Sequence, residues 1–180
     1  MTYCCQDNIF TIYPPKNVQF CPIMAFKTKN IGTEKAFQKI KYFCAYQERS
    51  HAEVKKKLYG FGLYKNEVEM LMSQLIEENY LNEGRFAYAF AGGKFRIKQW
   101  GKTKIKYELK MRQVSEYSIK KALAQIEEED YLKTLQKLAA EKLATLKSEK
   151  NIFTKKVKLQ NYLVGKGFEF NLVGDILKDV

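Results

Sequence analysis

A repeat with a period of about 50 residues runs through this chain and restricts its fold more than any other feature. Displaced by 51 positions, residues 54–81 lie on residues 105–132 without a gap. The 28 positions contain seven identities: Lys55/Lys106, Leu58/Leu109, Gln74/Gln125, Glu77/Glu128, Glu78/Glu129, Tyr80/Tyr131 and Leu81/Leu132. Apolar character persists where identity does not, at Val54/Ile105, Leu63/Val114, Val68/Ile119, Met72/Leu123 and Leu75/Ile126. A shorter third copy sets Leu163, Gly167, Phe168, Val173 and Ile176 where Leu58, Gly62, Leu63, Val68 and Leu71 stand in the first. A unit of this length buries little surface alone, so neighbouring units must stack into an elongated, curved array.

The periodicity within each unit is helical. No proline occurs after Pro22, and from Lys35 onward only glycine interrupts the pattern. In the first unit Phe37, Ile40, Phe43 and Cys44 mark one helix. Ser50 opens a second, with Glu53 three residues on as the partner of a capping box, and Gly60 and Gly62 end it. A third helix from about Asn66 carries Val68, Leu71, Met72, Leu75 and Ile76 on its apolar face. The second unit repeats this, with Gly92 and Gly93 expected to bend or shorten its first helix. The expected class is all-α: three three-helix, helix-turn-helix-like repeats over residues 35–81, 82–131 and 132–180. Residues 1–34 hold all three prolines and three of the four cysteines, and read as an extended or disordered extension; Met24 is an alternative start.

Composition narrows the function. No phosphate-binding glycine loop, no Gly-x-Ser-x-Gly turn and no His-Glu-x-x-His occurs, and a chain with one histidine, His51, has no His-based triad; we expect no enzyme, no cofactor and no metal. Cys4, Cys5, Cys21 and Cys44 lack zinc-ligand spacing, and His51 is expected to be exposed in the first turn of a helix. The acidic run from Glu127 to Asp130 reads as a solvated helix end, because consecutive helical residues point in different directions. No apolar run approaches the roughly 18 residues of a membrane span, and no signal sequence is recognised, so a cytoplasmic, soluble protein is expected.

With 32 Lys and Arg against 20 Asp and Glu, the net charge of +12 favours an acidic partner. The excess is uneven. Between residues 94 and 121 stand Lys94, Arg96, Lys98, Lys102, Lys104, Lys106, Lys110, Arg112, Lys120 and Lys121 against Glu108 and Glu116, which is two-thirds of the net charge. Trp100 sits among them, either capping the core between units or stacking on a base or a partner. A smaller cluster, Arg49 with Lys55, Lys56 and Lys57, is read at the equivalent place in the first unit, and Lys155, Lys156 and Lys158 in the third. Three such patches would line one side of a regular array and suit an elongated anionic partner.

The ordered set of residues also carries a family resemblance. Arg49-Ser50-x-x-Glu53-Val54-x-x-Lys57-Leu58 is followed by Leu75, then Tyr80-Leu81-Asn82-Glu83-x-x-Phe86-Ala87, then Gly101-x-x-x-Ile105-x-x-Glu108-Leu109, then Ile119 with Ala122-Leu123. In order and spacing this resembles the bacterial RecX family, over about residues 35–180. The resemblance implies tandem three-helix repeats and a monomer that modulates the RecA recombinase. It further implies binding in the groove of the RecA filament on single-stranded DNA, inhibition of ATP hydrolysis and strand exchange, and so a role in recombination and DNA repair. Double-stranded DNA is a second candidate ligand. One departure is Gln113, where the family often has glycine, so the turn there is expected to differ. The competing reading is a helix-turn-helix transcriptional regulator, which would need a recognition helix rich in Arg, Asn and Gln. Reversing charge at Lys102, Lys104 and Lys106 together is expected to abolish filament binding without unfolding the protein.

Overall fold

The computed structural model describes residues 30–178, and every regular element among them is an α-helix. In order these are α1 (Thr33–Tyr46), α2 (His51–Gly60), α3 (Lys65–Glu77), α4 (Glu83–Lys98), α5 (Lys102–Met111), α6 (Glu116–Ala124), α7 (Glu128–Thr145), α8 (Ile152–Lys166) and α9 (Phe170–Lys178). They form three consecutive triplets in an all-α repeat fold. The segment read as an extension falls outside the described residues up to residue 29; Thr33 and Glu34, at its end, already form the first turn of α1.

Local chemistry sets the helix ends. The Ser50 hydroxyl accepts the Glu53 N–H at 3.2 Å and Glu53 accepts the Ser50 N–H at 3.3 Å, so the expected capping box opens α2. Asn82, Ser115 and Asn151 cap α4, α6 and α8 in the same way through side-chain oxygens. Gly92 and Gly93 do not shorten α4, which continues to Lys98. Gly92 is buried, and the Arg96 guanidinium folds over it so closely that a Cβ would stand 2.9 Å from a guanidinium nitrogen.

The buried stripes follow the repeat. Val54, Leu58, Leu63 and Val68 in the first triplet match Ile105, Leu109, Val114 and Ile119 in the second and Leu159, Leu163, Phe168 and Val173 in the third, and all are buried. The turn inside this pattern is the same three times. Gly62, Gln113 and Gly167 all have positive φ, at 80°, 60° and 96°. The expectation that Gln113 changes the turn is therefore corrected: glutamine takes up the left-handed conformation, because the flanking buried residues determine the path.

Later in the unit the sequence alignment and the structure part company. Glu77, Glu78, Tyr80 and Leu81 end α3 and lead into α4, whereas their aligned partners Glu128, Glu129, Tyr131 and Leu132 already form the opening turns of α7. Leu81 is buried and Leu132 is 37% exposed. These identities thus join residues in different elements.

The apolar residues divide into two cores. One comprises Ala36, Ile40, Val54, Leu58, Leu75 and their neighbours in α1–α3; the other runs continuously from Phe86 in α4 to Val173 in α9. The second and third triplets are therefore one packed body. Their backbones touch where Gly101 N–H donates to Lys166 O at 3.0 Å and Thr103 N–H to Gly167 O at 3.1 Å. Buried Tyr131 ties the same junction: its hydroxyl donates to Glu169 and accepts the Lys102 N–H at 3.0 Å. The link between the first triplet and the rest is polar. Arg85 reaches Glu48 at 2.9 Å and the Asn79 side chain at 2.7 Å, and Arg112 lies 3.8 Å from Glu53.

Candidate interaction surface

The basic segment spans the C-terminal half of α4, a short loop and α5, and ends with Lys120 and Lys121 in α6. Gln99 ends α4 in a left-handed conformation, and Gly101 caps α5 from an extended one. Trp100, between them, is half-buried and packs on the larger core. The ammonium groups of Lys94 and Lys104 lie 5.1 and 4.9 Å from its ring centroid. The tryptophan therefore closes the core beneath a lid of two cations, and its ring is occupied by protein.

The cations of this segment are not equivalent. Lys102 pairs with Glu128 at 2.6 Å and lies over the Tyr131 ring, and Lys104 donates to the Gly165 carbonyl at 3.0 Å; both help join the second triplet to the third. Lys106 and Lys110 share Glu116, whose carboxyl the Lys110 hydrogen bond holds below the ordinary glutamate range. Arg112 is bound to Glu108 at 2.6 Å and its guanidinium lies over Phe90. Arg96 and Lys98 are exposed and have no carboxylate within 4.0 Å among the described residues. Charge density was readable from the sequence. Which charges are free to meet a partner was not.

In the first triplet, Lys56 and Lys57 stand in the second turn of α2, Lys57 about equally far from the Phe43 and Phe61 rings, at 5.8 and 5.7 Å. Lys55 is half-buried on the same helix. In the third triplet the register differs. Lys155, Lys156 and Lys158 precede Leu159, whereas Lys55–Lys57 follow Val54, the equivalent of Leu159. Lys158 is also bound to Glu149. The first and third clusters therefore each match a different part of the middle one: Lys55 falls on Lys106, and Lys156 and Lys158 fall on Lys102 and Lys104.

Arg49 separates from its sequence neighbours. Its guanidinium stacks 4.1 Å from the Phe43 ring centroid, and it joins Lys94, Lys98 and Arg112 around a cleft of about 400 Å³ between the first triplet and α4–α5. Glu48, Glu53, Phe86, Phe90 and Ile97 complete the main lining. Sequence reasoning missed this cleft. Ile97 continues the Phe86, Phe90, Gly93 line at helical spacing, which predicts a core position, yet it is 78% exposed because the first triplet does not cover it. His51, expected to be exposed, is partly buried, and its Nε2 is shielded with no hydrogen-bond partner. A set of exposed apolar side chains, Tyr107, Met111 and Tyr117, also lies beside Lys106, Lys110 and Lys121. The acidic run opens α7, where Glu128 meets Lys102 and Glu129 meets Lys133.

Among the described residues no group of His, Cys, Asp and Glu could hold a metal ion, and no helix is long and apolar enough to cross a membrane. Fold and surface together define a class: a tandem three-helix-repeat protein with basic residues concentrated in its second triplet. Residues 82–123 match the RecX second three-helix domain and residues 128–177 match the third. The regulatory protein RecX of Thermotoga maritima is 28% identical over 155 residues, covering 86% of this chain and 89% of that protein. The regulatory protein RecX of Clostridium acetobutylicum is 26% identical over 135 residues, and this chain spans 62% of its length. The crystal structure of RecX from Lactobacillus salivarius superimposes with a TM-score of 0.72 at 22% identity, over 82% of this chain and 95% of that one. This chain belongs to the RecX family.

Proposed function

We propose that this protein is a non-enzymatic regulator of the RecA recombinase, which binds the RecA filament on single-stranded DNA in the cytoplasm and inhibits its ATP hydrolysis and strand exchange. The observation that carries this reading is the joining of RecX-family membership to the concentration of basic residues over α4 and α5. A filament on DNA is an elongated polyanion, and a row of repeats offers it several weak contacts at once, which multiply in effect when geometry allows them together. In this reading the units are residues 35–81, 82–131 and 132–180, arranged as a curved monomer. Arg96, Lys98, Lys106 and Lys110 with Lys55 and Lys56 make the main electrostatic contact, and Lys155 and Lys156 make a separate one.

The transcription-regulator alternative finds less support. The exposed part of α6, the last helix of the central triplet, offers Glu116, Tyr117, Lys120 and Lys121 but no arginine, asparagine or glutamine to read base edges by paired hydrogen bonds.

The test is single-stranded-DNA-dependent ATP hydrolysis by RecA of the same organism, titrated with this protein. Suppression well below one molecule per RecA protomer is expected; no effect at equimolar amounts would overturn the proposal. Charge reversal at Lys102 and Lys104 is a poor probe, since both hold the second and third triplets together. The cleaner variant is Lys56→Glu/Arg96→Glu/Lys106→Glu, at exposed positions. It should remain helical by circular dichroism and lose at least about tenfold in inhibitory potency, whereas undiminished inhibition would remove this face from the contact.

A further inference from the structure

We propose that the cleft between the first triplet and α4–α5 is a docking site for an acidic segment of a partner protein, one that carries an apolar side chain among its carboxylates. The proposal stands on the cleft lining and does not rest on the identity of RecA as the target.

Charge is the first argument. Of the cleft's two carboxylates, Glu48 is held by Arg85, and Glu53 is engaged by the Ser50 cap and lies 3.8 Å from Arg112. Arg112 is in turn bound to Glu108. Arg49, Lys94 and Lys98 have no carboxylate within 4.0 Å among the described residues. The Nε of Arg49 is shielded from solvent and lacks any acceptor. Shielded donors without acceptors are rare because they forgo a hydrogen bond to water, so the Arg49 guanidinium at the cleft wall keeps unspent hydrogen-bonding capacity.

Shape and apolar character are the second. The cleft holds about 400 Å³, and Ile97 stands 78% exposed on its wall. That volume suits side chains of a peptide. A nucleic acid fits less well: Lys94 and Arg112 already lie over Phe90, at 5.2 and 4.8 Å from its centroid, so a stacking base would compete with two cations for the ring.

The third argument is mechanical. The cleft lies between two separately packed cores joined here by polar ties, so its width can change without opening either core.

Trp100, the single tryptophan of the chain, reports on the site because Lys94 links its ring to the cleft. The probe is a capped pentapeptide with four acidic residues flanking a leucine, titrated into the full chain and read by Trp100 fluorescence and by calorimetry. Saturable one-site binding is expected, weakened about fivefold by Lys98→Gln and about tenfold or more by Arg49→Gln/Lys98→Gln. Serine in place of the leucine should also weaken it about fivefold. The control Lys137→Gln/Lys147→Gln removes the same charge on and after α7 and should bind as the unaltered chain does. Lys98 is exposed, so its variant keeps the test valid if replacement of Arg49 disturbs folding. No binding, equal affinity for the two peptides, or an equal loss in the control would overturn the proposal. So would an oligothymidylate of about eight nucleotides that displaces the peptide at lower concentration than the peptide's own unlabelled form, making nucleic acid the ligand. RecA takes no part in this measurement, so its failure and that of the filament reading are separable.

Discussion

Gln113 occupies a backbone position that glycine holds in the other two triplets, and its φ of 60° carries a steric cost that glycine avoids. We expect Gln113→Gly to raise stability by about 0.5–1 kcal/mol in urea denaturation, the relief of strain exceeding the added freedom of the unfolded chain; a loss of stability would show that the glutamine side chain contributes something else. Cys44 makes a second residue-scale prediction. Burial pushes its thiol up to about 11, with the nearby Arg49 charge opposing and Glu48 reinforcing the rise. It should therefore stay protonated and resist iodoacetamide at pH 8 until the first triplet opens. Peptide mapping of the labelled chain distinguishes it from Cys4, Cys5 and Cys21, and rapid native labelling of Cys44 would contradict its burial. At this scale the sequence showed residue type and charge but not partnership: the Lys102 carboxylate, Glu128, lies 26 residues away.

Between the elements, the start of α5 and the end of α8 meet backbone to backbone. A Cβ on Gly101 would stand 2.1 Å from the Gly167 carbonyl oxygen, a backbone atom that cannot step aside. Gly101→Ala should therefore force the start of α5 away from the end of α8 and lower stability by more than about 2 kcal/mol. Gly93→Ala serves as the comparison, since its Cβ would meet nothing within 4 Å in α4. Thermal unfolding of the two variants checks this, and equal midpoints would refute the close approach. Helix starts were legible because caps are local chemistry: Ser50 with Glu53 announced α2. The extra turn of α8 was less so, because its cap, Asn151, lies four residues before the position aligned with Ser50 and Gly101. The passage of α4 through Gly92 and Gly93 was also hidden, since the Arg96 packing that uses the missing Cβ is a side-chain arrangement.

For the molecule as a whole, two cores imply two units of stability. The α1–α3 core should exchange its amide hydrogens separately from the α4–α9 core. Leu58→Ala empties a fully buried position in the smaller core and should cost about 2–5 kcal/mol there. Hydrogen exchange by mass spectrometry is expected to show lost protection over residues 33–77 with residues 86–173 unchanged; a uniform loss would mean one cooperative body.

The sequence by itself determined the class of the fold, the apolar stripe of each triplet and the place of the dense positive charge. These follow from periodicity, caps and composition, which act between residues a few positions apart. Tertiary structure alone decided that the second and third triplets share a core while the first stands apart. It also decided that Lys102 and Lys104 serve the junction and that Arg49 meets Lys94 and Lys98 across a cleft. Each depends on how far one helix extends past another and on which backbone atoms come within van der Waals contact, and neither is written in the spacing of residues along a single helix.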